Sequence, residues 1–498
     1  MSTASTTIER PPVIAVMGHV DHGKSTLLDY IRKTNVVDSE AGGITQSVSA
    51  YEVTHTNEEG VDKRITFIDT PGHAAFSGMR ARGAAIADIA ILIVAADDSV
   101  KAQTIEAIEI IKSSGVPFLV AINKVDKPGA NTDKVKTDLM EHEIYLEGYG
   151  GDVPYAEVSA KSGVGVTDLL ETILLLAELQ EFTGDTSLSA EGFVVESHQD
   201  PKRGVTATLI IKNGTLNKGQ FVVAGCGMAS TRILEDFSGK TIDSAVFSSP
   251  VRVIGFSTLC NAGSPFTAFD DKKTAEGTIE TQQTTYITPI PSSVNLKETN
   301  VVPVILKCDV EGMIEPAVNE IEKLSGDGIF FKVIKTGVGN INESDAHLAL
   351  SDEGSVILGF NGSVDPGVQL MNGIDAIPMH TFSIIYKMVE FLEEFKEKNR
   401  QRKEVDDFTG TLRVMKVFSN QKNAWLVGGK VITGTLTIGK ARVIRDGEII
   451  GIGNITGLQQ GPASVKSVPL DQECGCMIDT ETGITKGDEI RVFTRKLI

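Results

Sequence analysis

Eight residues at positions 18–25, GHVDHGKS, combine the residue types that hold a phosphate chain. Gly18 and Gly23 let the backbone approach an anion closely. The N–H groups of His19, Val20, Asp21 and His22, and the N-terminus of the helix that follows, can then face it. Lys24 brings positive charge to the outer phosphates, the Ser25 hydroxyl is a ligand for Mg2+, and Thr26 belongs to the same cradle. The pattern G-x-x-x-x-G-K-[ST] is specific here because it follows the apolar run VIAVM (13–17) and opens a helical pattern.

Three short motifs follow in order, each at the end of an apolar run. Asp69-Thr70-Pro71-Gly72 closes ITFID; an acidic residue there holds the water shell of Mg2+, and a glycine amide meets the γ-phosphate. Asn123-Lys124-Val125-Asp126 closes FLVAI. A carboxylate at Asp126 can accept from the N1–H and 2-amino groups of guanine, and a buried Asp126 would be left unpaired by adenine. Ser159-Ala160-Lys161 can give a backbone N–H to guanine O6. Together these motifs describe a guanine-nucleotide domain whose ligands are GTP or GDP and Mg2+. Thr45, between the phosphate loop and Asp69, is placed to bind Mg2+ through its hydroxyl and the γ-phosphate through its N–H. Mg2+ is therefore expected on Ser25, Thr45 and, through water, Asp69. His73, next after Gly72, is the candidate for orienting the attacking water. His19 and His22 form an HxxH pair, but it lies inside the phosphate loop, and structural zinc wants four ligands. GVG at 337–339 lacks the third glycine of a dinucleotide fingerprint and reads as a turn before a helix capped near Asn342.

The elements that carry these motifs are short apolar runs at 13–17, 65–69, 89–95 and 116–122, alternating with helical patterns such as Lys24–Lys33 and Gln103–Ser113. That alternation predicts a mostly parallel sheet covered on both faces. The chain of 498 residues is long enough for several domains. The expected fold class is multidomain α/β plus β. A flexible N-terminus (1–10) precedes a P-loop GTPase domain (11–182) that ends in the helix Val166–Glu181. After a polar linker (182–192), alternating residues and the Asn213-Gly214 turn signal predict a β-barrel over 193–269. A linker with some helix (270–300) leads to a small α/β/α domain (301–379). Phe382, Ile385, Met388, Val389, Leu392 and Phe395 fall at helical spacing, which predicts a long connecting helix over 380–406 reaching about 40 Å. A C-terminal β-barrel (407–498) repeats the G-T-L-x-x-G-x-x-x-V pattern of 214–223 at 434–443.

Composition sets the surroundings. Five cysteines without a CxxC pair fit a reducing, cytoplasmic compartment. The N-terminus carries no signal-peptide pattern, and the apolar run Ile89–Ala96 is too short to span a bilayer, so no membrane association is expected. The net charge of −19 argues against a nucleic-acid-binding surface over the whole chain. Residues 409–498, however, hold 12 Lys/Arg against 8 Asp/Glu and leave the excess acid to the rest.

With these residues in place, the chain resembles the bacterial translation initiation factor two family of translational GTPases. The matching stretches are GHVDHGKSTLLD, AGGITQ, DTPGHAAF with MRARGA, NKVDKPGAN, SAKSGVG, LKCDVEG, TGVGNINESD and ECG. The resemblance implies a factor that works on ribosomal subunits and their rRNA with initiator formylmethionyl-tRNA and other initiation factors, as a monomer, and hydrolyses GTP on the ribosome. By it, Val20 and Ile44 hold His73 back, and Glu473, Cys474 and Gly475 form one side of the pocket for the aminoacyl end. Three departures follow. The long N-terminal extension of many members is missing, and Ser47 stands where many carry histidine. In the pocket, Gln459, Gln460 and Gly461 replace a Lys-Arg-aromatic run, and Gly429 replaces a second cysteine. Arg442, Arg445 and Lys466 are the cations available to compensate. An elongation-type or other ribosome-associated GTPase, or a ribosome- or tRNA-binding protein that does not hydrolyse, are the alternatives.

Overall fold

A computed structural model of the chain describes residues 7–33, 45–57, 59–283, 300–326, 329–352, 354–371, 373–399, 404–421 and 424–497. They form two compact units, Met1–Lys398 and Asn399–Ile498.

The first unit begins with a six-stranded sheet. Its order is Ser49–Thr56, Asp62–Asp69, Val13–Gly18, Ile89–Ala95, Phe118–Asn123 and Tyr155–Glu157. The first pair is antiparallel and the remaining pairs are parallel. Alternate residues of the central strand face opposite cores. Ile14 and Val16 pack with Leu27, Leu28 and Ile31 of the first helix, whereas Ala15 and Met17 pack with Ala107, Ile108 and Ile111. Helices on both faces leave the carboxyl ends of the strands open, and all four motifs sit there.

The N-terminus departs from expectation. Residues 1–6 lie outside the described residues, but Thr7–Glu9 forms a strand paired with Thr183–Asp185, inside the expected linker. Arg10 explains the order. Its guanidinium makes two 2.7 Å bonds to the Asp88 carboxylate, which also takes the Lys212 ammonium from the next domain. Burial alone would raise the Asp88 carboxyl, yet the Arg10 bonds and the Lys212 charge outweigh it and hold the group below the usual range. Asp88→Ala takes the carboxylate from buried Arg10 and partly buried Lys212 and is expected to cost about 3 kcal/mol, read by urea unfolding. Because the folded carboxyl titrates lower than the unfolded one, its stabilisation is present above the unfolded value and lost as pH falls through the folded one. The stability gap between wild type and Asp88→Asn should therefore close in acid.

Residues 191–269 form a curled eight-stranded antiparallel sheet around Val194, Leu209, Val222, Phe247, Val253 and Phe266. The helix Lys272–Gln283 follows, and residues 284–299 of the expected linker lie outside the described residues. The α/β domain has a four-stranded parallel sheet in the order Ile329–Val338, Asn300–Cys308, Val356–Phe360 and Met379–Phe382. Asn342 and Asp345 form a reciprocal cap on the helix Glu343–Ser351.

The connecting helix is shorter than expected. Residues 379–382 complete the sheet, with Phe382 opposite Phe360, and the helix runs only over Ile385–Asn399, about 22 Å. Its Ile385, Met388 and Leu392 are buried in a core shared with the α/β sheet and with Ala75, Phe76 and Met79 of the first domain. The helical spacing is thus a docking face rather than a free strut. Residues 400–403 lie outside the described residues, and by Glu404 the chain is already in a strand.

The second unit closes on itself. The sheet order Gly439–Arg445, Glu489–Leu497, Glu404–Gln421, Ala424–Gly434, Glu473–Asp479, Glu448–Gln460 returns to Gly439–Arg445, forming a barrel. No helix among the described residues is long and apolar enough to cross a membrane.

Candidate nucleotide site

The strand Val13–Gly18 leads directly into the loop, and the loop into the helix Lys24–Arg32. Gly18 must be glycine: at φ +146°, a Cβ would lie 2.4 Å from the Ile93 carbonyl oxygen. Lys24 is buried under the loop, donating to the Gly18 and His19 carbonyls at 3.0 and 2.7 Å. Burial pushes its ammonium down to about 8, against the opposing charge of Asp69. A Cβ on Gly72 would lie 2.3 Å from Lys24 Nζ, so glycine keeps the space over the ammonium open.

Three oxygen donors from separate segments converge beside it. Ser25 Oγ and Thr45 Oγ1 are 2.7 Å apart, and Thr45 Oγ1 donates to Asp69 Oδ2 at 3.4 Å. Two hydroxyls and a carboxylate are the hard donors that Mg2+ takes, so the residues fit the ion. Ser25 and Thr45, with Lys24, border a cavity of about 400 Å³ lined also by Val20, Asp21, Gly23, Thr26, Gly72, His73, Lys124 and Tyr386, while Asp69 is buried beside Thr45. Ile44 lies outside the described residues. Ser47 is exposed, and nothing in the structure explains its departure from the family.

His73 is half-buried. Its Nδ1 accepts the Ala75 N–H at 3.1 Å, and its ring meets Tyr386 edge-on with centroids 4.5 Å apart. Burial, more than any neighbouring charge, lowers its pKa and keeps the ring neutral. Two residues the sequence did not single out fix this region. Arg80, almost fully buried, donates to the Pro71 and His73 carbonyls at 2.9 and 2.6 Å, and Gln103 accepts the Val20 N–H at 3.0 Å. Thr70 spends its hydroxyl on the Val16 carbonyl, so it braces the motif. The His22 ring turns towards the Ile93 carbonyl and Asp98, and burial holds it neutral down to about 4. His19, His22 and Asp98 bring ligand atoms within 4.8 Å of one another, one donor short of a structural zinc set.

The base end differs from expectation in two ways. Asp126 is exposed rather than buried; its Oδ1 accepts from Ser159 Oγ at 2.6 Å, which holds the carboxyl below its usual range. The Ala160 N–H, a candidate for guanine O6, donates to Asn123 Oδ1 at 3.0 Å. Asn123 is a brace. Its Nδ2 donates to the His22 carbonyl at 2.9 Å, tying the phosphate loop to the 159–161 loop, where Lys161 is exposed.

Family models match the chain in sequence order. The elongation factor Tu GTP binding domain matches residues 9–178, elongation factor G domain 2 matches 189–269, and translation-initiation factor 2 matches 277–393. Translation initiation factor IF-2 of Bacillus licheniformis is 39% identical over 505 residues, covering 98% of this chain and 69% of that protein. The chain belongs to the IF-2 family. The IF-2 proteins of Desulforamulus reducens and Carboxydothermus hydrogenoformans are each 40% identical, over 502 and 501 residues. The chain spans 50% and 60% of their lengths, about half of the former. Among solved structures, GDP-bound aIF5B from Aeropyrum pernix is similar at 26% identity and a TM-score of 0.48, covering 99% of this chain and 92% of that one.

The residues that the IF-2 resemblance assigns to initiator tRNA lie together in the C-terminal barrel. Cys474 pairs with Gly429 across the sheet, Glu473 with Lys430, and Gly475 with both Gly428 and Gln459. Glu473 is exposed; Cys474 is buried, which pushes its thiol up to about 11. Gly429 has a steric reason, because a Cβ there would lie 2.3 Å from the Arg413 carbonyl oxygen. Gln460 hydrogen-bonds Gln472, and Gly461 turns the chain at φ +60°. Two of the three expected compensating cations are engaged: Arg442 pairs with Asp406 and Arg445 with Asp488.

Proposed function

We propose that this chain is a GTP-hydrolysing translation initiation factor of the cytoplasm. In this reading it stabilises initiator formylmethionyl-tRNA on the small ribosomal subunit, promotes subunit joining with other initiation factors, and hydrolyses GTP on the ribosome as a monomer. The observation that carries the reading is that Ser25, Thr45 and Lys24 share one cavity with His73, with buried Asp69 hydrogen-bonded to Thr45. Lys24 and the loop N–H groups bind the phosphates. Ser25, Thr45 and, through water, Asp69 would hold Mg2+, which would supply positive charge to offset that of the phosphates. Asp126 selects guanine, and Ser159 orients it. His73 positions water once rRNA displaces it from its resting contacts. The pairing of Cys474 with Gly429, beside exposed Glu473, sets the residues assigned to the aminoacyl end on adjacent strands, and Arg442 and Arg445, two of the candidate phosphate contacts, are taken by Asp406 and Asp488.

One set of measurements tests the reading. GTP turnover by the full chain is followed with and without ribosomal subunits, together with protection of the aminoacyl ester of formylated, unformylated and uncharged initiator tRNA over a salt series. Ribosome-dependent turnover with preferential protection of the formylated form is expected. The salt dependence should be shallow, since each missing phosphate contact removes about one unit of slope. Turnover without tRNA preference would leave a ribosome-bound GTPase; no turnover on ribosomes would overturn the enzymatic reading.

A further inference from the structure

The residue after Thr45 places a buried amide on a distant part of the chain. Gln46 is 8% exposed, and both ends of its side chain are used by the start of the connecting helix. Its Nε2 donates to the Ser383 carbonyl at 2.8 Å, and its Oε1 accepts from the Ile385 N–H at 3.2 Å. Ile385 opens the helix Ile385–Asn399, so its N–H has no partner within the helix. Gln46 therefore acts as an external cap. Val48, two residues on, packs into the core that the helix shares with Ala75, Phe76 and Met79. One residue before Gln46, the Thr45 hydroxyl stands between Ser25 and Asp69. Consecutive Cα atoms are about 3.8 Å apart, so the cap and the hydroxyl cannot move independently by much.

We propose that Gln46 is a positioning residue that couples the Thr45 hydroxyl, and with it discrimination between GTP and GDP, to the first turn of the connecting helix. The inference rests on the GTP reading above. With the amide clamped, Thr45 is held where a γ-phosphate and its Mg2+ would need it. Without the clamp, Thr45 must be ordered by the ligand itself, and that ordering weakens binding. GDP has no γ-phosphate for Thr45 to meet, so its affinity does not depend on the clamp.

The test compares full-length wild type, Gln46→Ala and Gln46→Glu in equilibrium binding of a fluorescent GDP and a non-hydrolysable GTP analogue. Hydrogen exchange of the amides of residues 385–388 is followed in parallel. Gln46→Ala should weaken the GTP analogue about five- to tenfold, as expected for losing two hydrogen bonds to the helix start, and leave GDP within about twofold. Exchange at the helix start should be slowed by the analogue in wild type and not in the variant. Gln46→Glu keeps the acceptor for Ile385 but sets a carboxylate against the Ser383 carbonyl, so its loss should be at least as large. Equal weakening of both nucleotides would make Gln46 merely structural and overturn the coupling. An unchanged GTP/GDP ratio would overturn it as well. Wild type that binds neither nucleotide would instead overturn the GTP reading itself.

Discussion

Replacing His73 with alanine is expected to lower ribosome-stimulated GTP hydrolysis by about 10²-fold or more, the worth of holding a reacting water in place, while binding of GTP and GDP stays within a few-fold. The resting geometry says how the residue works. Because Nδ1 accepts the Ala75 N–H and burial keeps the ring neutral, the remaining proton is on Nε2. A ring in that state donates from Nε2. It can hold a water or a phosphate oxygen in line, but it cannot take the water's proton without changing tautomer. The ring also rests edge-on against Tyr386, while Arg80 fixes its backbone carbonyl, so the side chain can swing without unravelling the segment. Turnover is therefore sensitive to the imidazole and nucleotide affinity is not. The check is single-turnover hydrolysis with ribosomal subunits beside equilibrium binding of both nucleotides. Loss of binding together with turnover would assign His73 a structural role in the 73–76 turn.

The phosphate loop, Asp69, Asn123 and Ser159 were legible in the sequence for a physical reason. Each lies at or just past the carboxyl end of a strand of the central sheet, where local composition alone fixes both the turn and the chemistry. What local composition could not reveal was who braces those loops. Gln46, Arg80, Gln103 and Tyr386 act on partners in other elements; Gln46 and Arg80 lie inside stretches that match the family, but no local spacing says what they brace. The stripe that suggests a longer connecting helix has a related cause. Phe382 ends a strand and Ile385 begins the helix, yet both face the same core, so their three-residue spacing imitates a continuous helical stripe. The edge strand Ser49–Thr56 leaves little trace in the sequence, since it is mostly exposed or only partly buried and lacks the continuous apolar run that marks a central strand. Gly429 is the opposite case: the missing pocket cysteine looked like a loss, and the backbone geometry around Arg413 supplies a reason for it.

Asp126→Asn is expected to lower GTP and GDP affinity by about 10²- to 10⁴-fold and to raise affinity for xanthine nucleotides. The lost bonds are two charge-assisted ones, each worth about 1.5–3 kcal/mol, and every 1.4 kcal/mol is about tenfold. The carboxylate accepts from both N1–H and the 2-amino group of guanine. An amide in its place presents one donor, which suits the 2-oxo group of xanthine and opposes the 2-amino group of guanine. Exposure of Asp126 sharpens the argument. With the carboxylate in water before binding, the penalty for a wrong base arises only when that base covers it, so selectivity resides in the bound complex and not in a strained free site. Ser159 makes the substitution clean, because its hydroxyl donates to Oδ1 at 2.6 Å and can donate equally to an amide oxygen, leaving the new NH2 turned towards the base. The fold should be untouched. Competition of GTP and xanthosine triphosphate for the variant measures the exchange, and ribosome-stimulated turnover of the xanthine nucleotide should return with it. A variant that keeps its preference for guanine would place base recognition elsewhere than the loops 123–126 and 159–161.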